Sequence, residues 1–493
     1  MTETIPQIVR VDGKPRLLVN DNPFLILGLQ WGCDSCFSKE ETNPLFPHAA
    51  AMGANTAVLP LYWREVEPLL DQYDFRMIDE RIRQAQANSL RIILLWFATW
   101  KNACAFYAPD YIRNDPDTYP MALHRNGHRT VSPCPSGETT WQRDRNALVA
   151  VMQHLREVDQ MHTVIMVQVE NEPGILHSDR CYCPLCNERF NREKWESRLG
   201  AHAAEAFSAV TIAEYIDRLS AEAKALYPLP LYVNVALPSA VGGIPGNYFS
   251  GGAVPEMLPL VREHLHHLDL VAPDIYTSGY RDLHRLCKTY SADGNPLYIA
   301  EHSTPPSGRA ERNVFYALGD YGALGFDPWA IDESWPNKEQ EPPLVDPIGG
   351  EWSPVAYWLR DSYVAIGRAV TPIIEAQGTE RIFTCVQEPA EYATGWAAKG
   401  CDVMVTYHQK EGNGRGLIIQ QGPLDFLLIG VGLSVQFQRP RPVGTPLPIA
   451  SIEWGRFEGD QWVVLHPMRM EKPNVIISMV EPGVVWVVLK PIN

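Results

Sequence analysis

Eight short apolar segments, each ending in polar or aromatic residues and followed by a stretch of helical character, constrain this chain more than any other feature. They fall at 24–28, 55–60, 91–96, 164–169, 231–234, 268–276, 296–301 and 323–329. Runs such as Ile92-Ile93-Leu94-Leu95 and Val164-Ile165-Met166-Val167 show no apolar–polar alternation. Strands of that kind are buried on both faces, which is the condition of a parallel sheet covered by helices. The repeated strand–helix alternation predicts an α/β fold, a (β/α)8 TIM barrel with insertions over 23–370. Ahead of it, Asp12-Gly13 between two apolar runs predicts a β-hairpin extension over 1–22. Beyond about 370 the helical stretches stop. Short apolar runs at 401–407, 416–420, 426–430 and 475–480 alternate with turn residues, which predicts a C-terminal all-β sandwich-like domain over 371–493.

In a barrel of this kind, side chains at the carboxyl ends of the strands face the site of chemistry. The fourth strand ends in Glu170-Asn171-Glu172-Pro173-Gly174, and the seventh, Leu297-Tyr298-Ile299-Ala300, ends in Glu301. One Glu alone reads as a loop carboxylate in a surface ion pair. Two of them, each directly after a buried-type strand and three strands apart, read as the carboxyl pair that hydrolyses a glycosidic bond. Aromatic residues gather after the strands as well: Trp31, Tyr62, Trp63, Trp100 and Trp329. Any one of them reads as core packing. As a set they suggest a sugar cleft, where flat rings meet the CH faces of a pyranose, and Trp63, Trp100 and Trp329 are the expected contacts.

Charge narrows the partners. A net charge of −16 excludes nucleic acid and anionic membrane, both of which need a basic surface. No apolar run is long enough to span a bilayer, and the N-terminus lacks a basic segment followed by an apolar one, so a cytoplasmic location is expected. In that compartment the ten cysteines are thiols or metal ligands rather than disulfides.

Three of them are closely spaced. Cys181-Tyr182-Cys183-Pro184-Leu185-Cys186 puts three thiolates in one tight loop just after Glu172, three of the four ligands of a tetrahedral zinc site. The alternative is a set of reduced structural thiols. Cys134, in Ser132-Pro133-Cys134-Pro135, is the expected fourth ligand, with Cys104 and His177 as alternatives. Four thiolates leave no open coordination position, so the zinc would be structural. Cys33 and Cys36 form a C-x-x-C without a redox-fold context and read as packing residues.

These residues resemble the β-galactosidases of glycoside hydrolase clan A. Ile165-Met166-Val167-Gln168-Val169-Glu170-Asn171-Glu172 is similar to the strand-four motif of family 35. Cys181-Tyr182-Cys183-Pro184-Leu185-Cys186 resembles the zinc loop of family 42, and Trp63-Arg64-Glu65-Val66-Glu67-Pro68 resembles the strand-two region of both. The chain departs from them at Pro173, where both usually carry an aromatic residue. The segment 414–423 resembles a β-domain attached to some family 35-like proteins. The resemblance implies a retaining exo-β-glycosidase, foremost a β-galactosidase, with Glu172 as general acid/base and Glu301 as nucleophile. It further implies that Asn171 binds the sugar 2-hydroxyl and that Tyr276 orients the nucleophile. A β-glucoside or β-mannoside substrate, or transglycosylation, is the alternative; a non-catalytic carbohydrate-binding barrel is a third reading. The C-terminal domain is expected to complete the fold or to build a homo-oligomer, a dimer or trimer.

Overall fold

A computed structural model describes residues 4–238, 243–277, 279–333, 343–346, 350–408, 413–467 and 476–491. Eight parallel strands close into a barrel: Ile26–Gln30, Thr56–Tyr62, Arg91–Lys101, Val164–Asn171, Leu231–Ala236, Leu270–Ile275, Tyr298–Ser303 and Gly325–Trp329. Each of the eight expected segments supplies one of them. Their near-continuous burial, complete over Thr56–Tyr62 and Val164–Asn171, accounts for the missing polar alternation. Helices Arg76–Ala87, Glu138–Val158, Ala203–Leu226, Tyr280–Tyr290, Ala310–Gly319 and Ala356–Gly367 surround the barrel. Ala203–Leu226 is Ala-rich and buried around most of its circumference, because Glu138–Val158 and Trp195–Leu199 both pack against it. Among the described residues, no helix is long and apolar enough to cross a membrane.

The N-terminal segment is more elaborate than the expected hairpin. Gln7–Val11 and Lys14–Val19 pair across Asp12-Gly13, both at positive φ. A third strand, Asn22–Phe24, then folds back across Asn20 and Asp21, which also take positive φ. Asn and Asp tolerate that conformation better than other side chains, so this turn forms without glycine.

After the barrel come two antiparallel sheets. Six strands (Ile382–Val386, Arg415–Gly422, Asp425–Val431, Gly483–Leu489, Ile449–Glu458 and Gln461–Pro467) face four (Ala393–Ala398, Cys401–Tyr407, Leu433–Gln438 and Ile477–Met479). Val475, at the edge of an expected strand, lies outside the described residues. Alternation along the middle strands of the larger sheet explains how it can be apolar on both sides. Ile418, Leu428 and Val485 join the core between the sheets, whereas Leu417, Ile419, Leu427 and Val484 join the core of the barrel. The larger sheet is therefore a middle layer, and helices Ala310–Gly319 and Ala356–Gly367 lie on its barrel side.

Arg415 pins that junction. Its side chain is 3% exposed and donates to Ser362 Oγ at 2.7 Å, to the Trp358 carbonyl at 2.5 Å and to the Asn413 carbonyl at 2.5 Å. Burial lowers its pKa to about 10, against the opposing charges of Glu311 and Asp361. Removing the guanidinium would strip three acceptors of a charged donor, at a cost of about 3 kcal/mol. Arg415→Met is therefore expected to lower the urea midpoint of unfolding by that equivalent, with little change in activity in native buffer. An unchanged midpoint would mean that the junction is held by apolar packing alone.

Candidate active site and cysteine cluster

The carboxyl ends of the strands converge on one polar site: Gln30 from the first, Lys101 from the third, Asn171 and Glu172 from the fourth, Asn234 from the fifth, Asp274 from the sixth and Glu301 from the seventh. In the parallel ladders Asp274 stands directly opposite Glu301, and Lys101 opposite Asn171. The fourth strand ends in a local kink. Glu170 and Glu172 adopt φ of +64° and +45°, a left-handed conformation that costs about 1 kcal/mol at a non-glycine residue. Local hydrogen bonds hold it. The Trp100 amide donates to Glu170 Oε2 at 2.6 Å, and the Glu172 amide donates to Asn234 Oδ1 at 2.8 Å.

The kink separates the two acids that flank Asn171. Glu170 turns into the wall, fully buried, and lies against Asp144. Glu172 faces the strand-end site instead. One oxygen of each of Glu172, Asp274 and Glu301 lies within 4.8 Å of the others, and all three residues are at most 6% exposed. Glu301 is held on both oxygens. Tyr276 Oη donates to Oε2 at 2.5 Å, and the amides of Gln30, Asn171 and Asn234 point at Oε1 from 3.4, 3.5 and 3.5 Å.

Burial, and then the charge of Glu301, pushes the pKa of Glu172 up to about 7 while Lys101 pulls against it. Asp274 is pushed well above the usual carboxylate range by burial and by its two carboxyl neighbours. Burial alone would lower the pKa of the Lys101 ammonium, but Cys33, Glu172 and Glu301 around it raise it, so it stays charged. The site therefore holds two sorts of carboxyl: one well supplied with donors, and one in a place that favours its neutral form. That difference is what acid and nucleophile require of a glycosidase pair.

The aromatic residues divide. Tyr276 is 46% exposed and Trp329 partly so, their rings 6.5 Å apart and near perpendicular at the edge of the site. Trp63 and Trp100 are fully buried, and the structure does not bring them to the cleft. Residues Trp63–Val66 form a helical turn that carries Trp63 into the wall, where its Nε1 donates to Glu67 at 2.9 Å. Trp100 packs edge-on against Tyr215 at 4.8 Å. Strand-end position alone did not tell a ring turned inward from one at the mouth. Gln30, Lys101, Asn234 and Asp274 were not singled out in the sequence, although each stands at or next to a strand end.

Cys134, Cys181, Cys183 and Cys186 form one cluster, with their sulfurs within 4.8 Å of one another. From Cys134 Sγ the distances are 3.6 Å to Cys181, 3.9 Å to Cys183 and 3.7 Å to Cys186. Four sulfurs at 2.3 Å around a zinc ion would be about 3.8 Å apart, so the donor set fits a closed tetrahedral site. Helix Pro184–Arg192 fixes the loop. Cys183 caps its N-terminus, accepting from the Cys186 amide at 3.4 Å, and Pro184 occupies the first turn. Cys104 and His177, the alternative ligands, are not part of the cluster. Neither are Cys33 and Cys36; Cys36 is fully buried, and the Cys33 carbonyl accepts from Tyr62 Oη at 2.6 Å.

Residues 50–202 match the family model described as beta-galactosidase, glycoside hydrolase family 42, and residues 359–468 match a domain of unknown function, DUF5597. No curated protein matches the chain. Among solved structures, the β-galactosidase of Bacillus circulans sp. alkalophilus is similar with a TM-score of 0.54 and 14% identity, over 72% of this chain and 57% of that one. The β-galactosidase of the psychrophilic Marinomonas ef1 gives 0.52 and 12%, over 72% of this chain and 60% of its own. The catalytic domain of a β-amylase from Paenibacillus polymyxa gives 0.51 and 10%, over 68% of this chain and 96% of that domain. The chain thus spans less than two thirds of either β-galactosidase, and at these identities the likeness is one of fold. Residues 50–202, from the second barrel strand through the cysteine loop, carry the sequence signature of the family 42 β-galactosidases on a barrel of the same fold as the solved ones.

Proposed function

We propose that this protein is a retaining exo-β-glycosidase that releases terminal β-linked galactose. The observation that carries the reading is the Glu172–Glu301 pair, buried, with oxygens within 4.8 Å. Retaining enzymes keep their two carboxyl groups about 5–5.5 Å apart, whereas inverting enzymes leave room for a water at about 6.5–9.5 Å. In the first step Glu301 forms a bond to the anomeric carbon as the glycosidic C–O bond breaks, and Glu172 gives its proton to the departing oxygen. In the second step Glu172 takes a proton from water, whose oxygen bonds to the anomeric carbon as the ester to Glu301 breaks. Tyr276 and the amides of Gln30, Asn171 and Asn234 keep Glu301 aimed. Asn171 would pass its hydrogen bond to the sugar 2-hydroxyl, and Trp329 would carry a sugar face.

A panel of p-nitrophenyl glycosides with Glu301→Ala as control tests this reading. Release from the β-galactoside, lost in the variant, is the expected result. Release only from the β-glucoside or β-mannoside would keep the chemistry and change the sugar. A burst of p-nitrophenol with transfer to an added sugar would mark a transglycosylase. Glu172 must be protonated at the start of the cycle, so kcat/KM should fall as pH rises through about 7. Glu172→Gln should erase that limb for substrates with poor leaving groups and lower their kcat/KM by about 10³-fold. An alkaline limb that persists in the variant would assign the proton to another group.

The cysteine cluster, in this reading, binds one structural zinc that braces the loop after Glu172. Its four thiols hold metal only while reduced, which favours a reducing compartment such as the cytoplasm. The barrel with its N-terminal strands and the C-terminal β-domain would work as one unit in a homo-oligomer. Val464 and Leu465, exposed on the outermost strand of the larger sheet, favour pairing of that edge in a dimer or trimer.

A further inference from the structure

The site holds one carboxyl more than double displacement needs. Asp274 is 1% exposed, level with Glu301 on the neighbouring strand and within 4.8 Å of both Glu172 and Glu301. Asn234 ties the group together. Its Oδ1 accepts from the Glu172 amide at 2.8 Å, and its Nδ2 donates to Asp274 Oδ2 at 2.9 Å and points at Glu301 Oε1 from 3.5 Å. The other Asp274 oxygen, Oδ1, is buried and receives no donor from the described residues. Its carboxyl faces that of Glu172, with an oxygen of each within 4.8 Å. Two facing carboxyls can satisfy each other only if a proton lies between them, because like charges at that range do not ionise together.

We propose that Asp274 stays protonated through the reaction cycle and donates a hydrogen bond to Glu172, as the positioning residue that lets one carboxyl act first as acid and then as base. This rests on the glycosidase reading above. Before the first step Glu172 is protonated, and the contact fixes its orientation. Once Glu172 has given its proton to the leaving oxygen it is anionic, and the Asp274 hydroxyl stabilises that anion until Glu172 takes a proton from the incoming water. No proton leaves Asp274 at any point. Burial and the charges of Glu301 and Glu172 hold the Asp274 carboxyl in its neutral form, against the attraction of Lys101. The other titratable groups that face it are the hydroxyls of Tyr232, Tyr276 and Tyr290, all buried or raised by the same charges and neutral throughout. A divalent cation among the three carboxylates would have to sit beside the charged Lys101 ammonium, so a shared proton suits the site better than a metal.

Asp274→Asn and Asp274→Ala separate this role from a merely structural one. Asn is neutral, nearly the same shape, and keeps a donor. It should leave the alkaline limb of kcat/KM within about half a pH unit of wild type, with a loss of a few-fold in kcat. Ala removes the donor to the Glu172 anion. It should raise the limb by about one unit and lower kcat/KM by about tenfold, the equivalent of one hydrogen bond to a charged group. A limb that moves down by about one unit in Asp274→Asn would show that an ionised Asp274 had been removed, and would overturn the proposal; so would a limb that neither variant moves. Infrared difference spectroscopy reads the proton without any turnover. At pH 7 the carbonyl stretch of a protonated carboxyl should vanish from wild-type minus Asp274→Asn spectra if the residue is ionised, and appear there if the proposal holds. If Glu172→Gln and Glu301→Ala keep wild-type activity, the glycosidase reading fails. The infrared band still decides whether Asp274 carries the proton.

Discussion

Glu301→Ala is expected to lower kcat/KM for the preferred β-glycoside by about 10⁴-fold or more while leaving the melting temperature within a few degrees of wild type. The carboxylate is buried and takes its hydrogen bonds from side chains of the strand-end site, so truncation removes the proposed nucleophile without touching the backbone of its strand. The vacated space lies on the face from which Glu301 would attack. Azide or formate should therefore restore turnover, and azide should give the α-glycosyl azide. In Glu172→Ala the proposed nucleophile, Glu301, is intact, so azide should give the β-glycosyl azide from an activated substrate. Loss of activity with neither rescue would mean that the substitution disrupts the site rather than the chemistry.

The second large effect concerns the cysteine cluster. Wild-type protein is expected to contain about one zinc per chain by elemental analysis, and Cys183→Ser or Cys134→Ser close to none. Structural zinc sites contribute several kcal/mol to folding, and the loop here caps a helix through a cysteine of the cluster, Cys183. The melting temperature of either variant, or of chelated wild type, should fall by about 5–10 °C. The effect on kcat should be smaller than that on stability, because the cluster has no open position for a substrate. Protein that is fully reduced, metal-free and as stable as the zinc-loaded form would assign the four thiols to packing.

The parts of the fold that were legible share one property: each leaves a local pattern. The barrel strands are runs buried on both faces, and an uninterrupted Val164-Ile165-Met166-Val167 has few other uses. Glu172 and Glu301 stood out because each follows such a run directly, and the cysteine loop because its spacing is confined to six residues. Cys134, the expected fourth member, lies in the cluster with the other three. What stayed illegible depends on partners distant in sequence. Asp274 and Asn234 matter through each other and through Glu172, which lie 40 and 62 positions from Asn234. A single Asp or Asn at a strand end looks like any loop residue. The register that sets Asp274 beside Glu301 exists only once the strands pair. Trp63 and Trp100 show the converse, because an aromatic residue at a strand end can turn into the wall, as both do. The third N-terminal strand was hidden in Asn20-Asp21, a turn without the glycine that marks Asp12-Gly13.

The most direct test of the account is to trap the glycosyl-enzyme. Incubation with an activated 2-deoxy-2-fluoro-β-galactoside slows both steps, the second more, so the covalent intermediate should accumulate. Intact-protein mass spectrometry should show one added fluorosugar per chain, and peptide mapping should place it on Glu301. Turnover of β-galactosides without an adduct, with the α-anomer as first product, would instead show an inverting enzyme. An adduct on any residue other than Glu301 would move the nucleophile and contradict the site described here.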